Sequence, residues 1–214
     1  TPYHLIVTPF FPSEDPLAPI RYIVETGSAD GILLNQIETE DPRVRYLMDR
    51  DFPFATHGRT VWCDSHAYYD FDNTAFGRVS VETLVAHGRH NLAMLSPPLS
   101  QNYARNMIEG AETAAKRLGA KFRVLDDATA DSGDAEIEAM ARELAASGDM
   151  PDGFIVPSAA ASMTIVSELE DAGLRIGQNF ELISKSHTRF LQHFRRDLLT
   201  MGEDVTKAGE FITR

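Results

Sequence analysis

The stretch Phe71-Asp72-Asn73-Thr74-Ala75-Phe76-Gly77-Arg78, continued by Val81-Glu82-Thr83-Leu84-Val85-Ala86-His87-Gly88-Arg89-His90-Asn91-Leu92-Ala93-Met94-Leu95, decides how this chain is read. It predicts a helix over 74–87, a stop at Gly88 and a strand from Asn91 to Leu95. A helix followed at once by an apolar strand is one beat of a βα rhythm, and the rhythm continues in both directions. Downstream it predicts helix 102–118 stopped by Gly119, strand Phe122–Leu125, a helix near 134–146 and strand Gly153–Val156. Helix 159–171 stopped by Gly173, strand Phe180–Ser184, a short helix near 187–194 and strand Leu198–Met201 complete the series. Upstream, His4–Thr8 reads as the first strand. A helix follows from about Asp15, with Leu17, Ile20, Ile23 and Val24 at helical spacing and Gly27 as a left-handed stop. After a buried strand at 31–34, Thr39 caps the next helix, Pro42 occupies its first turn, and Val44, Leu47 and Met48 face inward, with strand Phe52–Thr56 behind them.

This alternation defines an α/β fold with parallel sheet covered by helices. About eight strands in this order fit either one wide sheet or two smaller ones, and periodicity does not separate the two. The segment Gly58–Asp70 is polar and lacks a helical period, which makes it the place where the chain would leave one lobe for another. A chain of 214 residues holds one large domain or two lobes of about 100 residues.

Composition excludes several functions. With 20 basic against 32 acidic residues and a net charge of −12, the chain lacks the clustered cations that neutralise phosphates, so these residues do not grip DNA. No apolar run approaches the ~20 residues that span a bilayer, and Thr1-Pro2-Tyr3 begins neither a signal peptide nor a transit sequence. The single Cys63 has no disulfide partner in the chain, which fits a cytoplasmic location and equally an exported protein without disulfides.

The opening stretch resembles the "D-N-x-x-x-G … L-x-x-x-G-H-x-x-I-A-x-L" signature of LacI/GalR transcription regulators. Ala172-Gly173-Leu174-Arg175-Ile176-Gly177-Gln178-Asn179-Phe180-Glu181-Leu182-Ile183 is similar to that family's "G-L-x-V-P-x-D-I-S-V-V-G", and Ala104-Arg105-Asn106-Met107-Ile108-Glu109-Gly110 to its "A-R-x-R-x-x-G". The resemblance implies two Rossmann-like lobes of the type I periplasmic-binding-protein kind, joined by crossover strands, with a small ligand in the cleft between them. It places residues 1–70 and 201–214 in the first lobe, which lacks its first βα unit, and 71–200 in the second. It also implies a homodimer that senses a sugar or sugar-like effector and reaches operator DNA only through a headpiece absent from this sequence. The alternative is a periplasmic solute-binding protein of an ABC transporter, which shares the fold.

Ligands of open α/β sheets sit beyond the carboxyl ends of the strands, so residues there are the candidates. Asn35 either donates and accepts bonds to a ligand hydroxyl, as the resemblance implies, or closes a turn. Tyr68 either stacks on a sugar ring or is a core aromatic, and Arg59 either holds an anion or hydroxyl pair with its donor fork or is solvated. Glu203, where the chain recrosses, either accepts from hydroxyls or caps the final helix.

The second lobe departs from the family pattern. The usual sugar-gripping Arg falls at Met107, while the preceding motif Arg remains as Arg105; Ser158 replaces an Asn and Ser186 an Asp. With Lys185 and His187 nearby, such a cleft is expected to prefer a more acidic or less hydroxylated ligand, unless Lys185 is merely a solvated loop residue.

Enzymatic function is disfavoured. No G-x-S-x-G elbow occurs, and Ser184-Lys185-Ser186-His187 lacks a third group to orient the imidazole. No G-x-G-x-x-G follows the opening strand, and His57, Cys63 and His66 lack the spacing of a zinc site, so neither cofactor nor metal is expected.

Overall fold

The computed structural model describes residues 4–8 and 15–212. Helix α1 (Ala18–Thr26) ends where Gly27 adopts a φ of 61° and its N–H bonds Ile23 O, the stop expected from the sequence. Strand β1 (Ile32–Leu34), helix α2 (Pro42–Met48), strand β2 (Phe54–His57), a 3-10 turn at Cys63–Ser65 and strand β3 (Ala67–Tyr69) follow. The three strands pair in parallel in the order β1-β2-β3, with Ile32 opposite Phe54 and Thr56 opposite Tyr68.

Two local expectations need correction. Residues 4–8 form no strand, and Leu5, Ile6 and Val7 are exposed. An apolar run becomes a strand only where a neighbour supplies ladder hydrogen bonds, and no described strand lies beside it. Helix α2 is capped by Asp41, whose carboxylate accepts from Arg43 N at 2.9 Å, rather than by Thr39. Pro42 can follow directly because the first helical N–H has no partner to lose. The segment 58–70 ends in β3, and the chain leaves the first sheet after Tyr69.

The second sheet is built from strands β4 (Asn91–Met94), β5 (Lys121–Val124), β6 (Gly153–Val156), β7 (Glu181–Ser186) and β8 (Leu199–Gly202), all parallel in the order β5-β4-β6-β7-β8. Between them run α3 (Asn73–Ala86), α4 (Asn102–Leu118), α5 (Asp134–Ala146), α6 (Ala159–Asp171) and α7 (Phe190–Phe194). Helix α8 (Val205–Ile212) returns to pack on β2 and β3. The described strands therefore form two sheets, one per lobe, not one wide slab.

Strand alternation sorts the second lobe's core onto two faces. Leu92 and Met94 pack with Ile155, Ile183, Phe76, Leu84 and Met107 under α3 and α4. Ala93 and Leu95 pack with Phe154, Val156, Leu182 and Ile165 under α5 and α6. Helices α3 and α4 touch backbone to backbone: a β-carbon at Gly77 would collide with the carbonyl of Met107, and one at Gly110 with the carbonyl of Thr74. The motif glycines thus act by removing side-chain bulk at a helix crossing. The first lobe has its own smaller core of Ile20, Ile32, Leu34, Ile37, Val44 and Leu47.

Candidate functional site

Loops leaving the carboxyl ends of the two sheets meet. Asn102, after β4, bonds Ile37, after β1, so the strand ends of one lobe face those of the other. Where the chain passes between lobes, a polar relay runs through both crossings. Arg59, just past β2, donates from Nε to Asp70 Oδ2 at 2.9 Å. Asn73, the first residue of α3, donates from Nδ2 to Asp70 Oδ1 at 3.0 Å. Its own Oδ1 accepts from Lys185 Nζ at 2.9 Å, and Lys185 is ion-paired with Glu203 just past β8.

Asn73 is suited to its place because an amide donates to the carboxylate on one side and accepts from the ammonium on the other. The Lys185 ammonium also lies 5.5 Å from the ring centre of Phe71 and 5.6 Å from that of Phe76. Burial lowers its pKa to about 8, against the opposing pull of Asp70. Beside it, the His57 ring meets Phe71 edge-on at 5.3 Å, and its Nε2 is buried without a hydrogen-bond partner. Burial lowers the His57 pKa as well, with Asp70 opposing and Lys185 adding to the shift.

A hollow of about 270 Å³ opens beside the relay, lined by Ser186, His187, Arg189, Gln192, Thr200 and Glu203. It lies at the carboxyl ends of β7 and β8, where ligands of parallel sheets collect. A larger hollow of about 470 Å³, bordered by Glu170, Arg175 and Asp197, sits by the end of α6 and away from those strand ends. Its position makes it the weaker candidate.

The sequence candidates divide accordingly. Arg59, Lys185 and Glu203 share the relay, and Ser186 and Glu203 line the hollow. The Ser186 hydroxyl is engaged in its own turn, donating to Thr188 O at 2.7 Å. Ser158 caps α6, accepting from Ala161 N at 3.3 Å. Asn35 is exposed just past β1, and its carbonyl, not its side chain, is held by Arg43. Arg105 is exposed on α4 and donates to Leu99 O at 3.3 Å. Tyr68 stands edge-on to His66, on the side of β3 that also carries the Phe54 contact. Met107 is fully buried under α3 and does not reach the hollow. Ser184 is fully buried with its hydroxyl 2.9 Å from that of Ser162, whereas His187 is exposed, so the two do not form a nucleophile–base pair.

The sequence reading missed Asp70, Asn73 and His57. Asn73 and Asp70 stand at the mouth of the quoted motif, and an acid followed three residues later by a buried amide at a helix start was the available signal.

Two parallel-sheet lobes with facing strand ends, and a polar hollow at the carboxyl ends of β7 and β8 where the chain recrosses, define a two-lobed binding fold. The chain belongs to the periplasmic binding protein-like domain family, which matches residues 81–214. It is 25% identical over 220 residues to the HTH-type transcriptional regulator AglR of Rhizobium meliloti (strain 1021), a match covering 99% of this chain and 60% of that protein. The crystal structure of a LacI-family regulatory protein from Chloroflexus aggregans superposes with a TM-score of 0.79 at 22% identity, covering 96% of this chain and 74% of that one. The transcriptional regulator CelR in complex with cellobiose superposes with a TM-score of 0.77 at 18% identity, covering 91% and 61%. The chain thus spans about 60% of the length of that curated relative, and the resemblance to LacI-type regulators read from its motifs is upheld. All three relatives are named as regulators. No described helix is long and apolar enough to cross a membrane.

Proposed function

We propose that this chain is the effector-binding core of a LacI-type transcription regulator in the cytoplasm, without catalytic activity of its own. A small sugar-like metabolite occupies the hollow at the ends of β7 and β8. The two lobes change their relative angle in response, and a homodimer passes that change to a DNA-binding headpiece outside these 214 residues.

The observation that carries the reading is the place of Glu203. It lines the hollow, pairs with Lys185, and stands where the chain crosses between lobes. A ligand that bonds Glu203 therefore acts on the hinge itself.

The relay bears on ligand class. Both Arg59 and Lys185 are already neutralised, by Asp70 and Glu203, so the relay offers paired donors and acceptors in place of a free cation. That favours a neutral polyhydroxylated ligand over the acidic one suggested by Lys185 in the sequence, and the cellobiose complex of the structural relative points the same way. Arg189, which lines the hollow with no ion-pair partner among the described residues, supports a sugar acid as the second reading.

Isothermal calorimetry of neutral sugars and sugar acids against the protein and its Glu203→Gln variant tests this. Binding of a neutral sugar that weakens at least tenfold in the variant supports the proposal. Binding of acids alone, lost in Arg189→Ala, supports the second reading. Turnover of any bound compound overturns both.

A further inference from the structure

The lobes also touch away from the relay, through main chain. Asn102, the first residue of α4, donates its N–H to Ile37 O at 2.9 Å. Glu38 and Gln101 face each other in a single antiparallel rung, and Thr39 Oγ1 lies 3.4 Å from Asn102 Oδ1.

The first-lobe side of this contact is held rigidly. Asp41, fully buried, accepts from Glu38 N at 3.1 Å and Arg43 N at 2.9 Å. The Arg43 guanidinium binds both carboxylate oxygens of Asp41 and, through Nη2, the carbonyls of Asn35 and Gln36. Gln36 sits at a φ of 50°, a left-handed conformation that is strained for a non-glycine residue and persists only where neighbours enforce it. The Ile37 side chain is buried in the first core, with Gly58 packed so closely that a β-carbon there would stand 3.1 Å from Ile37 Cβ. Thr39 O accepts from Val61 N at 2.9 Å. Every residue from Asn35 to Asp41 that carries or flanks the presented carbonyl is thus anchored to its own lobe.

On the second-lobe side, the first N–H groups of a helix have no partner inside it. The Asn102 amide pairs across the lobes without taking a bond from α4.

We infer that this rung is a backbone latch that holds the two lobes together at this edge of the cleft before any ligand enters the hollow. Opening the cleft requires breaking the Asn102–Ile37 bond; closing it remakes the bond against a loop already in position.

Asn102→Pro removes that one donor. Proline fits the first helical position, and Gln101, at φ −79° and ψ 132°, already has the extended conformation a residue before proline requires. In the full-length protein the variant is expected to keep its circular dichroism while its radius of gyration by X-ray scattering rises. A folded variant with wild-type scattering overturns the latch.

Glu38→Cys with Gln101→Cys, in a Cys63→Ser background, gives a second test that does not depend on the proline variant folding. Directly opposed residues of an antiparallel rung lie within disulfide reach. A latch closed in solution predicts rapid, near-complete cross-linking under mild oxidant without any added ligand, and slow, minor cross-linking overturns it. Neither readout involves an effector, so the latch and the proposed function fail separately.

Discussion

Lys185 Nζ donates to Asn73 Oδ1 at 2.9 Å across 112 positions of sequence, joining the last buried strand of the second lobe to the helix that opens it. The same ammonium pairs with Glu203, so one side chain ties the outgoing and returning connections of the chain together.

Removing that cation leaves Glu203, a carboxylate only 18% exposed, without its partner. Lys185→Ala is expected to lower stability by about 2 kcal/mol, measured by urea unfolding, because an uncompensated, mostly buried charge is costlier than an absent pair. Lys185→Met combined with Glu203→Gln should recover part of the loss. Equal losses in the single and double variants would show that the pair is not energetically coupled.

The depressed pKa of Lys185 predicts a pH dependence with a definite sign. Burial brings the folded-state value from 10.5 to about 8, so between those two pH values the unfolded chain holds more protons. Stability contributed by this group therefore rises as pH goes from 8 to 10.5 and is flat below 8. The gain is on the order of 1–3 kcal/mol. Subtracting the urea unfolding profile of Lys185→Met from that of the wild type, from pH 7 to 10.5, isolates it.

Gly110→Ala places a methyl group against the carbonyl of Thr74. Backbone cannot rotate away as a side chain can, so the helices must separate, and a loss of about 3 kcal/mol is expected despite the better helix propensity of alanine. Thermal unfolding of Gly110→Ala beside Gly148→Ala, where nothing lies within 4 Å, makes the comparison.

Asp41→Ala removes the cap of α2 and the anchor of Arg43 and of the Glu38 amide together. A loss of about 2–3 kcal/mol follows from an orphaned helix start and an unpaired guanidinium that is only 11% exposed. Thr39→Ala, at the position the sequence proposed as the cap, should cost less than about 0.5 kcal/mol. The reverse order in chemical denaturation would restore Thr39 to that role.

Helices were legible where periodicity and a glycine stop coincide. The reading placed α4, α5 and α6 at the bounds the structure shows, and Gly27, Gly119 and Gly173 all adopt positive φ. Short strands were less so: β3 has three residues, too few to show a period, while 4–8 had the composition of a strand and no neighbour. Met107 was drawn into the candidate site by its place in a motif, although Ala104, Met107, Ala111, Ala114 and Ala115 repeat at the spacing of a buried helix face. Asp70 and Asn73 escaped because, although they bond each other three residues apart, what makes them a relay is Lys185, 112 positions away, and local pattern carries no record of which loops a fold brings together.

The bulk-free crossing at Gly77 and Gly110 has a mechanical result. Helix α3 starts at the relay and α4 starts at the latch, and where they cross at Gly77 and Gly110 backbone meets backbone with no side chain between. Close packing of this kind transmits displacement, so a shift at Asn73 is expected to reach Asn102 and keep the two ends of the cleft in step.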